Sequence, residues 1–223
     1  MQFRHEVKHE INNLDRMILR QRLKAVMTPD SHAHNGQYKI RSLYFDNLDD
    51  KALREKLDGM HIREKYRIRL YNGDTSVIHL ERKYKQGDLG YKDSAALTPE
   101  QAQAIAGGDI RWMAASTDET VLAFYTRICN EGLKAKVIVD YTREPFLFGP
   151  GNVRVTLDYN IRTGLSCTDF LNPDCPTVPI WDFPCILEVK WDNYLPDVIR
   201  DIIQLENRHS TAFSKYAACR IYD

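Results

Sequence analysis

The run Tyr66-Arg67-Ile68-Arg69-Leu70-Tyr71, followed by Asn72-Gly73-Asp74 and then by Ile78-His79-Leu80-Glu81-Arg82-Lys83, constrains this chain more than any other stretch. Successive side chains of a strand point to opposite faces. Arg67 and Arg69 therefore share one face, and Tyr66, Ile68 and Leu70 the other. Asn-Gly-Asp between two such runs is strong hairpin-turn chemistry, which sets the Glu81 and Lys83 face beside the two arginines. The product is an antiparallel ribbon with one charged side and one apolar side.

The same division recurs along the chain. Phe3 to His9 alternates Arg4, Glu6 and Lys8 against Phe3, His5, Val7 and His9. Tyr38 to Phe45, Ala135 to Phe146, Asn152 to Ile161 and Cys185 to Trp191 read as further strands. In the last two, Arg154, Thr156 and Asp158 oppose Val153, Val155 and Leu157, and Glu188 and Lys190 oppose Leu187, Val189 and Trp191. Arg143 is in phase with Val137, Val139 and Tyr141, so that strand has a less uniform charged face. Residues 85–92, with Gly87, Asp88 and Gly90, are expected to bend or loop. Between the strands lie helical signals: Asn12-Asn13 as an N-cap before a Leu14 to Val26 stripe, a short helix over 49–57, and a Thr98-Pro99-Glu100-Gln101 capping box. Further helices are expected over 118–131, closed by Gly132, from Pro196 to Leu205, and over 210–220.

A charged strand face is ordinarily a solvated one. Here the eight bases Arg4, Lys8, Arg67, Arg69, Lys83, Arg143, Arg154 and Lys190 share these faces with only Glu6, Glu81 and Glu188. The whole chain is neutral, with 31 Lys+Arg and 31 Asp+Glu, so solvated faces should sample an even balance. If the strands close into a barrel, the apolar faces must be covered by the amphipathic helices, and the cations crowd into the lumen. Cations confined there repel strongly unless a polyanion neutralises them. A linear phosphate chain has the charge and the shape, Arg offers it a planar fork and Lys a point charge, and a few carboxylates can hold a bridging divalent ion. Neutral net charge gives no reason to expect nucleic acid as a partner. Five cysteines without a C-x-x-C pair read as reduced thiols in a cytoplasmic protein. The seven histidines show no paired metal spacing, and no apolar window of about 18 residues could span a bilayer. His5 and His9 fall on the apolar face and read as structural, and Tyr44, Tyr66 and Tyr71 read as packing residues.

The motifs Arg4-His-Glu6-Val-Lys8, Ser42-Leu-Tyr44-Phe-Asp46, Tyr66-Arg-Ile-Arg69-Leu-Tyr71, Leu80-Glu-Arg-Lys83, Tyr141-Thr-Arg143, Arg154-Val-Thr-Leu-Asp158, Ile186-Leu-Glu188-Val-Lys190 and Phe213-Ser-Lys215-Tyr216 occur in this order. Together they resemble the VTC (vacuolar transporter chaperone) polyphosphate polymerase domain of the triphosphate tunnel metalloenzyme superfamily. Each motif is weak alone, and eight in order are specific. The resemblance covers nearly the whole chain, so residues 1–223 are expected to form one such domain. It implies an α+β fold, a closed antiparallel eight-stranded β-barrel with helices on its outside. It also implies ATP as phosphoryl donor, inorganic polyphosphate or pyrophosphate as acceptor, and Mn²⁺ or Mg²⁺.

Residue by residue, the resemblance makes Lys8, Arg67, Arg69, Lys83, Arg143 and Arg154 the phosphate-gripping tunnel set and Lys215 a tunnel-reaching lysine of the last helix. Glu188 becomes the metal ligand, with Glu81 and Glu6 as further metal candidates and Lys56 and Lys190 as further phosphate contacts. Hydrolytic members of the superfamily carry E-x-E-x-K on the first strand, whereas this chain has Arg4 at the first position. That departure favours transfer to phosphate over transfer to water. The sensing domain and membrane helices of the fungal complexes have no counterpart here, so the expectation is a bare cytoplasmic catalytic module, recruited, if at all, by a separate membrane subunit. Two other readings stay open: a triphosphatase of the same fold, and a non-catalytic module binding polyphosphate or nucleotide.

Overall fold

The computed structural model describes residues 3–87, 89–182, 184–205 and 208–221. Asp88, of the 85–92 segment read above, lies outside the described residues. Ten strands run in chain order: β1 (Arg4–Ile11), β2 (Thr28–Pro29), β3 (Tyr38–Asp46), β4 (Ile62–Tyr71), β5 (Asp74–Gln86), β6 (Leu89–Leu97), β7 (Lys134–Phe148), β8 (Val153–Thr163), β9 (Val178–Pro179) and β10 (Cys185–Trp191). The helices are α1 (Asn13–Val26), α2 (Lys51–Leu57), α3 (Pro99–Ala106), α4 (Glu119–Glu131), α5 (Asp197–Ile203) and α6 (Lys215–Arg220). Eight strands close in the order β7-β3-β4-β5-β6-β1-β10-β8, and β8 pairs back to β7. Every pairing is antiparallel, and the dipeptide strands β2 and β9 extend the sheet beside β7 and β8.

Local chemistry accounts for the elements. In the β4–β5 hairpin Asn72 and Gly73 both take positive φ, 54° and 74°, the left-handed pair that a tight two-residue hairpin turn requires. Asn12 and Asp15 form a reciprocal capping box at α1, Thr98 and Gln101 form another at α3, and Gly132 closes α4 with φ 70°. The bend expected over residues 85–92 is a tight hairpin turn at Gly87, but the strand that follows it is not among those expected. That stretch is the end of β5 and the start of a full strand, β6, which supplies the eighth stave. The strand escapes the alternation test because Gly87, Asp88 and Gly90 read as turn residues and Asp93 interrupts the row of Leu89, Tyr91, Ala95 and Leu97, of which only Ala95 and Leu97 are buried.

The barrel separates two outer cores from the lumen. Outside β3 to β6, Leu43, Phe45, Tyr66, Ile68, Leu70, Ile78 and Leu80 pack under α3 and α4 through Ala102, Ile105, Val121 and Phe124. Outside β1, β10 and β8, Val155, Leu157, Leu187 and Val189 pack under Leu19 and Leu23 of α1 and Ile199 of α5. The last helix differs from the others. Tyr216 and Cys219 of α6 join Tyr38, Ile40, Tyr44, Val137, Val139, Tyr141, Ile161 and Ile186, which are inward-facing residues, and so fill one end of the lumen with an apolar plug. This explains why Arg143 shares a face with two valines and a tyrosine: the lumen face of β7 is apolar at the plugged end and charged beyond it.

Asp46 fixes that plug. Fully buried, its carboxylate accepts hydrogen bonds from the backbone N–H groups of Asn47, Ala52 and Leu53 and, at 2.6 Å, from the Tyr216 hydroxyl. It therefore caps the start of α2 and anchors α6. Asp46→Ala strands several buried donors at once, each costing about 1–3 kcal/mol, and is expected to lower stability by roughly 3 kcal/mol or more in urea unfolding. A loss within about 0.5 kcal/mol would show that the anchor is dispensable.

Candidate active site in the barrel lumen

The strand register turns the charged face of each stave inward. Cross-strand partners are Arg67 with Glu81, Lys65 with Lys83, Lys83 with Lys92, Glu6 with Lys190, Lys8 with Glu188, and Lys190 with Arg154. Eight bases (Lys8, Arg67, Arg69, Lys83, Lys92, Arg143, Lys190 and Lys215) meet four carboxylates (Glu6, Glu81, Asp158 and Glu188) in three groups, of which two are linked, and Lys65 stands among them as a ninth base.

Around Glu81 stand Arg67 Nε at 2.7 Å, Lys92 Nζ at 2.7 Å and Arg69 Nη1 at 3.7 Å. Arg67 Nη1 also donates to the Tyr44 hydroxyl at 2.8 Å, while Arg69 donates to Ser42 Oγ at 3.0 Å and to the Tyr141 hydroxyl at 3.1 Å. In the second group Lys8 Nζ lies 2.7 Å from Glu6 and 3.4 Å from Glu188, and Lys190 Nζ 3.3 Å and 2.9 Å from the same pair. Lys83 adds a contact of 3.0 Å to Glu6. In the third, the fully buried Asp158 is gripped by Arg143 Nε at 2.7 Å and by Lys215 Nζ at 2.5 Å. Arg143 Nη2, 3.8 Å from Glu188, links the second group to the third.

Of the residues expected from sequence, Lys8, Arg67, Arg69, Lys83, Arg143, Lys190, Lys215, Glu6, Glu81 and Glu188 are thus brought together. Arg154 faces the lumen and reaches Asp30 at 3.3 Å. Lys56, on α2, stands close enough to Lys8, Arg63 and Lys85 for burial and their charges to depress its ammonium pKa. The structure adds Lys65, Lys92, Asp158, Tyr44 and Tyr141. Lys65 escaped because it precedes the apolar alternation that marked β4, and Lys92 because its strand, β6, is not among those expected. Tyr44 packs as expected, stacked on Tyr216 at 5.1 Å, but it does so from the inner face of the barrel and its hydroxyl also accepts a hydrogen bond from Arg67. Tyr66 packs against Phe124 in an outer core, as expected.

The surplus of positive charge shows in the ionisation. Burial opposes the charged forms of Glu6 and Glu188, yet the surrounding lysines, with Arg143 at Glu188, hold both carboxyls well below the usual range. Burial, with Lys8 and Lys190 adding to it, outweighs the attraction of Glu6 and pulls Lys83 well below an ordinary lysine. Lys65, which has no carboxylate within ion-pair distance among the described residues, is depressed by burial and by Lys8 and Arg67 to about 8. Burial would raise the Tyr44 phenol, but Arg67, Lys65 and Arg69 prevail and bring it down to about 8. Two cations about 6 Å apart repel by roughly 3 kcal/mol at an effective dielectric of 20, so an anion placed among them relieves several such terms.

The metal candidates divide. Glu6 and Glu188 share Lys8 and Lys190, so the two carboxylates face one small space. Glu81 stands in a separate group, its oxygens taken by Arg67 and Lys92. No group of three metal-ligating side chains occurs among the described residues. A carboxylate pair still fits Mg²⁺ or Mn²⁺, because such ions commonly take one or two carboxylates and complete their shell with substrate phosphates.

A closed antiparallel barrel with a cation-lined lumen is the architecture of triphosphate tunnel proteins. The chain matches the VTC domain over residues 3–221 and belongs to that family. No curated protein matches it. Among solved structures it is similar to the candidate adenylyl cyclase HpAC1 from Hippeastrum, described as having a dominant triphosphatase activity, at 12% identity and TM-score 0.59 over 99% of this chain and 96% of that one. It is also similar to a candidate adenylate cyclase from Bacillus halodurans, at 12% identity and TM-score 0.51 over 91% and 90% of the two chains. At these identities the likeness shows the fold. No helix among the described residues is long and apolar enough to cross a membrane.

The depressed lysine and phenol set the pH dependence. Lys65 and Tyr44 have folded values near 8, below their ordinary 10.5 and 10.0. Between about pH 8 and 10 the folded protein has therefore lost protons that the unfolded chain keeps, so these groups favour folding increasingly as pH rises through that window. A polyanion in the lumen restores both protons. Binding of inorganic tripolyphosphate at pH 8–9 is expected to take up protons, and its affinity to fall as pH rises from 7 to 9.5. Calorimetry in buffers of different ionisation enthalpy checks this; proton-neutral binding across that range would contradict it.

Proposed function

We propose that this protein is a metal-dependent polyphosphate polymerase, transferring the γ-phosphoryl group of ATP to the end of an inorganic polyphosphate or pyrophosphate chain held in the lumen. The observation that carries the reading is the lumen's excess of cations over carboxylates, arranged along the staves of a barrel rather than around one point. Family membership supports it. Phosphoryl transfer is catalysed largely by positioning and by electrostatic stabilisation, and the lumen supplies both without a nucleophilic side chain.

In this reading Arg67, Arg69, Arg143 and Arg154 fork phosphate oxygens, while Lys8, Lys65, Lys83, Lys190 and Lys215 act as point charges. Lys56 and Lys92 supply further cations at the rim. Glu188 and Glu6 would hold Mg²⁺ or Mn²⁺, which would supply positive charge to offset that developing on the transferred group. Phosphate displaces these carboxylates from their lysines and releases them for that role. Arg4, at the position where hydrolytic relatives carry glutamate, bonds Asp192 through Nε at 2.8 Å and also bonds the Asn152 carbonyl. A cation there replaces the carboxylate of that one position, which favours transfer to phosphate over transfer to water.

A triphosphatase is the second reading, favoured by the description of the Hippeastrum protein of the same fold. The two separate on one gel. Purified protein incubated with ATP, Mn²⁺ and a short phosphate primer is expected to give a lengthening ladder with stoichiometric ADP. Orthophosphate without a ladder would establish the triphosphatase, and binding without turnover would leave a non-catalytic module. Two variants test the roles. Arg69→Ala, which removes a buried cation bonded to Ser42 and Tyr141, is expected to weaken phosphate binding at least tenfold in a folded protein. Glu188→Gln is expected to retain much of the binding and lose metal-dependent turnover; retained turnover would place the metal elsewhere.

A further inference from the structure

Among the described residues four buried side-chain polar atoms have no protein partner: Arg16 Nε, Trp112 Nε1, Arg154 Nε and Thr156 Oγ1. The first two lie outside the lumen. The other two are two residues apart on the inward face of β8, and Thr156 is only 2% exposed. Leaving a buried donor unpaired destabilises a fold by about 1–3 kcal/mol, and two such donors side by side in a cation-lined lumen point to a ligand that pairs with both.

The surroundings identify its chemistry. Across the ladder Thr156 faces Glu188 on β10 and Pro145 on β7, and proline offers no N–H there. Glu188 is already engaged by Lys190 at 2.9 Å, Lys8 at 3.4 Å and Arg143 at 3.8 Å, so its charge is offset. Arg154 spends Nη2 on Asp30 at 3.3 Å and keeps Nε free for a lumen ligand, with Lys190 directly opposite. A hydroxyl donor, a guanidinium N–H and an ammonium on neighbouring positions form a cradle for the oxygens of one phosphoryl group.

We infer that Thr156 Oγ1 and Arg154 Nε form a phosphate station, distinct from the Arg67, Arg69 and Lys92 group around Glu81. This rests on the proposal that the lumen binds a phosphate chain and deepens it: the lumen holds two phosphoryl groups at separate places, as joining a donor to an acceptor requires. Thr156 is a binding residue that alternation along β8 placed on the right face but that its chemistry alone did not single out.

The test uses the whole chain and inorganic tripolyphosphate in the presence of EDTA, with binding measured by calorimetry. Thr156→Val keeps the side-chain shape and removes a hydroxyl that makes no bond within the protein. It is expected to weaken binding about tenfold, as loss of a hydrogen bond to a charged group does, while the ligand-free protein unfolds at the same or a higher urea concentration than the wild type. Thr156→Ser is expected to restore binding to within about twofold. Thr156→Val binding as tightly as wild type overturns the station and leaves the lumen reading standing. A Ser variant as weak as the Val variant would show that the methyl group, not the hydroxyl, matters, and also overturns it. An effect seen only when Mn²⁺ replaces EDTA would assign the hydroxyl to a metal shell and overturn the station. Wild type that fails to bind tripolyphosphate overturns station and lumen reading together.

Discussion

Confinement of like charge is the constraint on which this structure depends. A β-barrel gives each inward side chain neighbours on both adjoining staves, and here those neighbours are mostly basic. Four carboxylates pair with eight of the nine lumen bases without balancing them. Buried ion pairs contribute little net stability, because desolvation consumes much of the Coulombic gain, whereas removing one partner leaves an unpaired buried charge. Burial together with neighbouring cations depresses the Lys65 and Lys83 amines, and the cations acidify the Tyr44 phenol, whereas Glu188 and Glu6 hold Lys8 above an ordinary lysine. Under the proposed function a bound polyanion would relieve the repulsion among the lumen cations.

Such a lumen needs a rigid wall and a fixed floor. The wall comes from two outer cores, each pressing helices onto the apolar faces of the staves. The floor comes from α6, whose Tyr216 reaches Asp46 and whose Lys215 reaches Asp158. Asp46 also caps α2, the helix that carries Lys56 towards the lumen. One buried carboxylate thus couples both helices that deliver lysines to the site, and packing on the outside of the barrel is linked to the geometry of charge within it.

Much of this was readable from strand alternation. Period-two patterning in β1, β4, β5, β8 and β10 assigned Glu6, Lys8, Arg67, Arg69, Glu81, Lys83, Arg154, Asp158, Glu188 and Lys190 to one face of their strands, the inner one, and capping chemistry marked α1, α3 and α4. Three features were not readable, for physical reasons. β6 begins among Gly87, Asp88 and Gly90, which read as turn residues, and Asp93 interrupts its outward row of Leu89, Tyr91, Ala95 and Leu97, so period-two analysis has too short a run to detect. Lys65 sits in the charged run Arg63-Glu64-Lys65, where inward and outward positions look alike. Tyr44 and Tyr141 are aromatic, and an aromatic ring reads equally as core or as a lumen hydrogen-bonding group. The mixed face of β7 was the clue to the plug, since a face that changes from Val137 and Val139 to Arg143 must change its surroundings along its length.

The most direct test of the central claim is a crystal structure of the protein with tripolyphosphate at near-neutral pH. The account predicts phosphate within the barrel, contacting Arg67, Arg69 and Arg143, with the Lys8 and Lys190 bonds to Glu6 and Glu188 loosened. Phosphate bound only on the outer surface, with the lumen ion pairs unchanged, would contradict it.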